Sequence, residues 1–484
     1  MDRWLKPALD YIPRWIEFQM QPTAIPGCAI AVAHHGRVVF EHAIGFADIA
    51  RGQPLTPRHR FRAASHSKTF TAAGVMKLRE AGRITLDDPI GRHVEGVHEE
   101  VARVTIAQLL SHSAGITRDG PDSGQFADRI PYRSEAELMS DLAAPPVIEP
   151  VTRFKYSNHG YALLGRAIEA ITGEPYARWI AREIVAASGL RETTPGMPAR
   201  GVPFARGHTS ARVLGRRLVI PADNDARAIG PAAGFVATAA DLARFFWQIA
   251  PEAARSPLQV ASRREMTRRH WRNPDTVIES WYGYGTIGGS LNGCDWFGHS
   301  GGWQGVLTRT VVVPAQGLSV SVLTNAMDAL PWLWADGVLH ILRAFAENGP
   351  PARRLRGWTG RWWTLRGATD LLPAGETVLA VQPAFGNPFA EATRIAVTRR
   401  DQGRIIRAPG FGSHGEAARI VRDRNGRAAA LWLGGTKLLP EAAMAEELRD
   451  RYEAGEGADP STPTARRATD GGATARRRSS RSAR

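Results

Sequence analysis

The chain has 484 residues, 43% hydrophobic and 23% charged, with 14 tryptophans; it is too long for one ordinary domain and apolar enough to build two or three cores. No run of roughly 18 apolar residues occurs, so no membrane-spanning helix is expected, and with Cys28 and Cys294 the only cysteines, a disulfide framework and a cysteine-based metal cluster are excluded. A net charge of +15 invites a nucleic-acid partner, but the arginines are scattered and no nucleic-acid motif accompanies them; the expectation is a basic surface and no nucleic-acid partner, with anionic substrate groups or a membrane surface as alternatives.

In chain order, Leu5, Leu9, Ile12, Trp15 and Ile16 mark one side of an amphipathic N-terminal helix. The N-terminus lacks the basic-then-apolar order of a signal peptide, so the expected location is cytoplasmic. Residues 28–33 and 37–43 are β-rich runs around a His34-His35-Gly36 turn, a hairpin closed by residues 45–48. The next element carries the first chemistry. In Phe61-Arg62-Ala63-Ala64-Ser65-His66-Ser67-Lys68-Thr69-Phe70, a helix beginning near Ser65 and running to about Ala81, with Gly82 as its left-handed stop, sets the Ser65 hydroxyl and the Lys68 amine on one face. A hydroxyl is nearly inert until a base takes its proton, and a lysine is such a base only where burial or a neighbouring cation keeps it neutral. Taken alone, the pair also fits an N-cap serine beside a solvated lysine.

A mainly helical, loop-rich middle follows, from about Thr105 to Phe246. Within it Tyr156-Ser157-Asn158, ahead of an apolar helix, puts a phenol and an amide side by side: a proton relay beside a lysine, and a hydrogen-bonding group for a substrate amide. The plain alternative is a core tyrosine and an N-cap asparagine. In Gly298-His299-Ser300-Gly301-Gly302, glycines let backbone approach a ligand, and an edge N–H can stabilise an oxyanion. These five residues also fit a Gly-x-Ser-x-Gly nucleophile elbow, but an elbow needs a helix after the serine, whereas Val306–Val313 reads as a strand; Ser300 is therefore rejected as the nucleophile. Residues 305–313 and 318–324 form a second hairpin around Pro314-Ala315-Gln316-Gly317, and a helix from about Trp332 to Ala346 follows.

Strands at both ends with helices between imply an α+β fold: one antiparallel sheet flanked by helices, with a helical insert and the Ser65 helix at its centre. Asn348-Gly349-Pro350-Pro351 marks a boundary, giving residues 1–348 as the catalytic domain. Short β-like runs over 352–452 suggest a small β-barrel or sandwich. From 453 to 484 the chain is Gly, Ala, Ser, Thr and Arg, a basic tail expected to be disordered.

Together, Ser65-x-x-Lys68, the Thr105–Gly115 segment, Tyr156-x-Asn158, Gly230–Phe235 and His299-Ser300-Gly301 resemble, in order and over about residues 20 to 345, the penicillin-recognising serine hydrolases: class C β-lactamases, DD-peptidases, D-aminopeptidases and family VIII esterases. The resemblance implies acylation of Ser65, Lys68 as its base, and Tyr156 passing the proton to the leaving group. It implies an oxyanion hole of the Ser65 and Gly302 N–H groups, with Asn158, Ser300 and Gly301 binding substrate. His299 stands where β-lactamases usually carry lysine, which resembles the peptidases and esterases more. A C-terminal β segment resembles the lipocalin-like barrels that some of these proteins carry.

The expected activity is hydrolysis of a peptide, amide or ester in a small molecule or peptide, without a cofactor. The alternatives are an acyltransferase or peptide cyclase using the same acyl-enzyme, a β-lactamase, and a non-catalytic scaffold. An oligomer is compatible with the sequence. No His-x-x-x-His pair with a carboxylate partner points to a metal.

Overall fold

The computed structural model describes residues 2–453 except 275, 277, 278, 292 and 411. The tail expected to be disordered lies, after Glu453, outside the described residues.

The first hairpin joins β1 (Gly27–His34) to β2 (Arg37–Asp48). Its turn places His35 and Gly36 in the left-handed region (φ 47° and 78°), the handedness that matches strand twist. Seven more strands complete the sheet: β3 (Gln53–Pro54), β4 (Trp271–Asn273), β5 (Ser280–Tyr282), β6 (Ile287–Leu291), β7 (Cys294–Trp303), β8 (Val306–Val313) and β9 (Leu318–Thr324). Their order is β3-β2-β1-β9-β8-β7-β6-β5-β4, antiparallel between neighbours. Ile30 pairs with Val322, so the sheet is built from both extremities of this region, as expected.

The alternation along β1 decides what packs where. Ile30 and Val32 face one layer, in which α1 (Leu5–Met20) lies against α7 (Pro331–Asn348). Leu5, Leu9, Ile12, Trp15 and Ile16 are all buried there. A side chain at Gly337 would run into the Trp15 ring, so the glycine is the notch that lets the two helices close. Ala29, Ala31 and Ala33 face the opposite layer, where small side chains admit α6 (Ala239–Ile249) and, beside it, α2 (Ser67–Glu80). Helix α2 is central to that layer: 11 of its 14 residues are buried, with α4 (Asn158–Thr172) and α5 (Tyr176–Ile180) against it and α3 (Ile106–Leu110) against α4.

The helix start differs from expectation. Residues Ala64–His66 form a 3₁₀ turn, and α2 begins at Ser67. Ala64 takes a left-handed φ of 50°, a conformation costing roughly 1–2 kcal/mol, which redirects the chain before the helix begins. Ser65 is thus in the turn and caps nothing.

Beyond α7, eight strands from β10 (Gly360–Thr364) to β17 (Thr436–Leu438) follow one another in chain order. Trp363 and Leu439 exchange both backbone hydrogen bonds (2.7 and 2.9 Å), bringing first and last strands together in a nearly closed barrel rather than a sandwich. Side chains including Trp358, Trp362, Leu371, Ile395 and Leu431 fill the interior. Tyr11 of α1 donates to Asp370 (2.9 Å), which also takes two hydrogen bonds from Arg361 (2.8 Å each), so a fully buried carboxylate ties α1 to the barrel.

Candidate active site

The Ser65 turn is anchored from below. Phe61–Arg62 pairs with Val236–Ala237, and Ala63 N–H donates to the Phe235 carbonyl (2.9 Å). Arg62, buried beneath the Trp303 ring (4.4 Å), donates to the carbonyls of Ala222 (2.9 Å) and Asn224. Ser67 donates to the Ala64 carbonyl (2.6 Å) and accepts from Phe235 N–H (3.0 Å). The strained turn is therefore held by hydrogen bonds on both sides.

One helical turn on, Lys68 points back at the serine. Its Nζ lies 3.3 Å from Ser65 Oγ, 2.7 Å from Asn158 Oδ1 and 2.9 Å from the Ala232 carbonyl oxygen. The side chain is fully buried, with the Tyr156 ring centroid 4.8 Å away. Burial pushes its amine well below the usual lysine range and Arg118 adds to this, while Asp119 works the other way. A neutral amine has two N–H groups and one lone pair. Asn158 Oδ1 and the Ala232 carbonyl can only accept, so they take the hydrogens, and the lone pair is left for the serine hydroxyl.

Tyr156 reaches the same oxygen from the loop ahead of α4 (Asn158–Thr172), with its hydroxyl 2.9 Å from Ser65 Oγ. Burial raises its phenol above the ordinary tyrosine value, so it stays protonated and donates. Ser65 therefore accepts from a phenol and faces an amine lone pair, the arrangement that draws its own proton toward Lys68. The loop is rigid: Ser157 caps α4 by accepting from Gly160 N–H (2.9 Å), and Ser157 N–H donates to His112 Nδ1 (3.1 Å). The His112 ring lies 4.2 Å from that of Tyr156. The Thr105–Gly115 segment thus supports the phenol from beneath.

Asn158, expected to hold a substrate amide, is engaged at both ends within the protein. Oδ1 receives Lys68, and Nδ2 donates to Asp119 Oδ1 (2.6 Å). In this arrangement it orients the lysine.

Strand β7 forms the remaining wall. It pairs with β6 only as far as Gly298, and from His299 to Trp303 its paired neighbour is β8, leaving an edge beside the Ser65 turn. A side chain at Gly301 would strike the Ala63 carbonyl oxygen and the Thr308 hydroxyl, so glycine is what lets the strand abut that turn. His299 Nδ1–H donates to the Ser300 carbonyl (2.7 Å), which leaves Nε2 to accept from the Tyr282 hydroxyl (3.0 Å). Burial holds this imidazole neutral, well below its ordinary value. Ser300 stands opposite Arg309 in the register, on the other side of the strand from His299, in mid-strand and with no helix after it. Gly302 is exposed at the edge.

Sequence reasoning missed Asp119, which follows Arg118 just beyond the Thr105–Gly115 segment, and Tyr282. Neither belongs to a motif; an acidic residue flanking that segment was the one local signal. Among the described residues no group of three or more His, Cys, Asp or Glu is placed to hold a metal.

The family model described as beta-lactamase matches residues 12–331, two-thirds of the chain and every residue of this site. The chain belongs to the beta-lactamase family. Penicillin-binding protein 4 from Amycolatopsis lactamdurans is 30% identical over 316 residues, covering 62% of this chain and 81% of its own. The octameric penicillin-binding protein homologue from Pyrococcus abyssi shares the fold over 89% of this chain and 99% of its own, at 24% identity and a TM-score of 0.62. D-amino acid amidase from Ochrobactrum anthropi matches 69% of this chain and 99% of its own at 21% identity, with a TM-score of 0.59. Among the described residues of this beta-lactamase family member, no helix is long and apolar enough to cross a membrane.

Proposed function

We propose that the protein is a serine hydrolase that forms an acyl-enzyme on Ser65 and cleaves a peptide, amide or ester bond. The reading is carried by one observation: Ser65 Oγ lies between a fully buried Lys68 amine (3.3 Å) and the Tyr156 hydroxyl (2.9 Å). As Oγ attacks the substrate carbonyl carbon, a C–O bond forms and the serine proton passes to Lys68 Nζ. The N–H groups of Ser65 and Gly302 are the donors assigned to the oxyanion. Collapse breaks the bond to the leaving group, which takes its proton through Tyr156, resupplied by Lys68. Water then repeats the sequence and releases the acid. His299, neutral and capped by Tyr282, contributes shape and a hydrogen bond rather than the fixed positive charge of a lysine at that position. Family membership and the fold shared with D-amino acid amidase favour amides, with a D-configured residue as the first substrate to try. The catalytic unit is assigned to residues 1–348 and the barrel to 352–452.

The test is turnover of a panel of p-nitrophenyl esters and D- and L-amino-acid anilides by the full chain and by Ser65→Ala. Hydrolysis of at least one, lost in the variant, is expected. Hydrolysis at equal rates by both proteins contradicts the assignment.

A further inference from the structure

Lys68 is aimed by a residue that makes no hydrogen bond to it. The oxygen and nitrogen of an asparagine amide are nearly equal in size, so the group fits either way round, and its neighbours decide which. At Asn158 the deciding neighbour is a carboxylate. Asp119 can only accept, so it takes the NH₂ end (2.6 Å) and turns the oxygen toward Lys68 (2.7 Å). With the Ala232 carbonyl also acceptor-only (2.9 Å), both N–H groups of the neutral amine are directed away from Ser65 and the lone pair toward it. Were the amide reversed, its NH₂ would face the amine, and the lone pair would be drawn to that donor instead.

Asp119 is itself fixed. It is 5% exposed, and its second oxygen lies 3.0 Å from Arg118 Nε. The Arg118 carbonyl accepts the backbone N–H groups of Asn158 (2.9 Å) and His159 (3.3 Å), joining this loop to the first turn of α4. The Arg118 guanidinium, 62% exposed, lies over the Tyr156 ring at 5.6 Å.

We propose that Asp119 is a positioning residue: by fixing the amide of Asn158 it points the Lys68 lone pair at Ser65, with Arg118 as its counter-charge. The proposal rests on Lys68 being the base. It also fixes the sign of two electrostatic effects, because Asp119 favours the protonated amine and Arg118 opposes it. The other titratable groups facing Lys68 are the phenols of Tyr156 and Tyr161, the Ser65 hydroxyl and the imidazoles of His112 and His299, all uncharged at neutral pH.

The test measures, in the full chain, the second-order rate of inactivation by a serine-directed phosphonate from pH 4 to 10. Lys68→Ala should fall at least about 10³-fold. Asp119→Asn should move the acid limb to lower pH, and Arg118→Gln should move it to higher pH. Asp119→Ala, which frees the amide to reverse, should lower the plateau at least about tenfold. General damage to the fold would not move two acid limbs in opposite directions, so Asp119→Asn and Arg118→Gln carry the test if Asp119→Ala fails to fold. Acid limbs at the wild-type position in both variants, or a wild-type plateau in folded Asp119→Ala, would overturn the proposal while Lys68→Ala stays inactive. Wild-type inactivation of Lys68→Ala would overturn the reading beneath it instead.

Discussion

Two serines of this chain stand in motifs that promise a nucleophile, and their surroundings separate them. Ser65 lies in a strained 3₁₀ turn, half-buried, with an amine and a phenol on its oxygen. Ser300 lies in the middle of β7, opposite Arg309, on a strand that runs through Trp303 into another strand. Both satisfy a short pattern of letters. What differs is whether the fold sets a buried amine against the hydroxyl, as it does with Lys68 beneath Tyr156.

The comparison breaks first on the serines themselves. Ser65→Ala should abolish acyl-enzyme formation, whereas Ser300→Ala should still form it, with any loss appearing in KM, as befits a residue outside the proton path. Burst-phase kinetics with an activated ester distinguish the two.

The next largest effect is on the flanking groups. Removing a general base or acid costs about 10²–10⁴-fold, so Tyr156→Phe should fall in that range, with product release by Lys68→Ala lower still. The pH dependence has a definite sign. Lys68 is depressed, so activity should be lost as the pH falls through its shifted value; Tyr156 is raised, so no basic limb should appear near the ordinary tyrosine value. A kcat/KM profile with its acid limb at the value of an ordinary lysine would contradict this.

Stability sharpens the same contrast between buried bases and solvated ones. Burial lowers His66 to about 3 and holds His112 and His299 well below 6.5. Between about 6.5 and about 3 the unfolded chain therefore binds a proton at His66 that the native state does not, and stability falls on acidification by up to about 1.4 kcal/mol per pH unit for each such histidine. Denaturant titrations at pH 7 and 5 should show that loss, and a shallower one in His66→Asn; equal midpoints at both pH values in the wild type would contradict it.

The smallest expected effect is at Tyr282. Tyr282→Phe removes the donor to His299 Nε2 (3.0 Å) and should cost about 1 kcal/mol of stability with only a few-fold change in turnover. A collapse of activity would give that tyrosine a larger share of the chemistry.

The legible parts of this chain are those whose cause is local. The β-rich run of β1, the apolar stripe of α1 and the turns at His35-Gly36 and Gly317 depend on neighbours a few residues away, and each forms where the sequence indicates it. Ser65, Lys68 and Tyr156 could be singled out because serine and lysine lie three residues apart and the phenol has its own motif, and the structure brings the three together. The rest depends on contacts across the fold. Asp119 acquires its role from Asn158, and Tyr282 from His299 on another strand. Asn158 is engaged by Asp119 at one end and Lys68 at the other, contacts that a reading for substrate binding did not foresee. The start of α2 is displaced to Ser67 because Ala64 bends the chain to meet Phe235 and Gly301, far away in sequence. Barrel and sandwich are indistinguishable in the β-like runs, since closure depends on the Trp363–Leu439 pair.

The central claim is that Ser65, activated by a neutral Lys68, is the group that attacks. Peptide mapping by mass spectrometry after reaction with a serine-directed phosphonate tests it most directly. The expected result is one adduct, on the peptide containing Ser65, absent from Ser65→Ala and forming at least about 10³-fold more slowly in Lys68→Ala. An adduct on Ser300, or labelling of Ser65 that ignores the loss of Lys68, would contradict it.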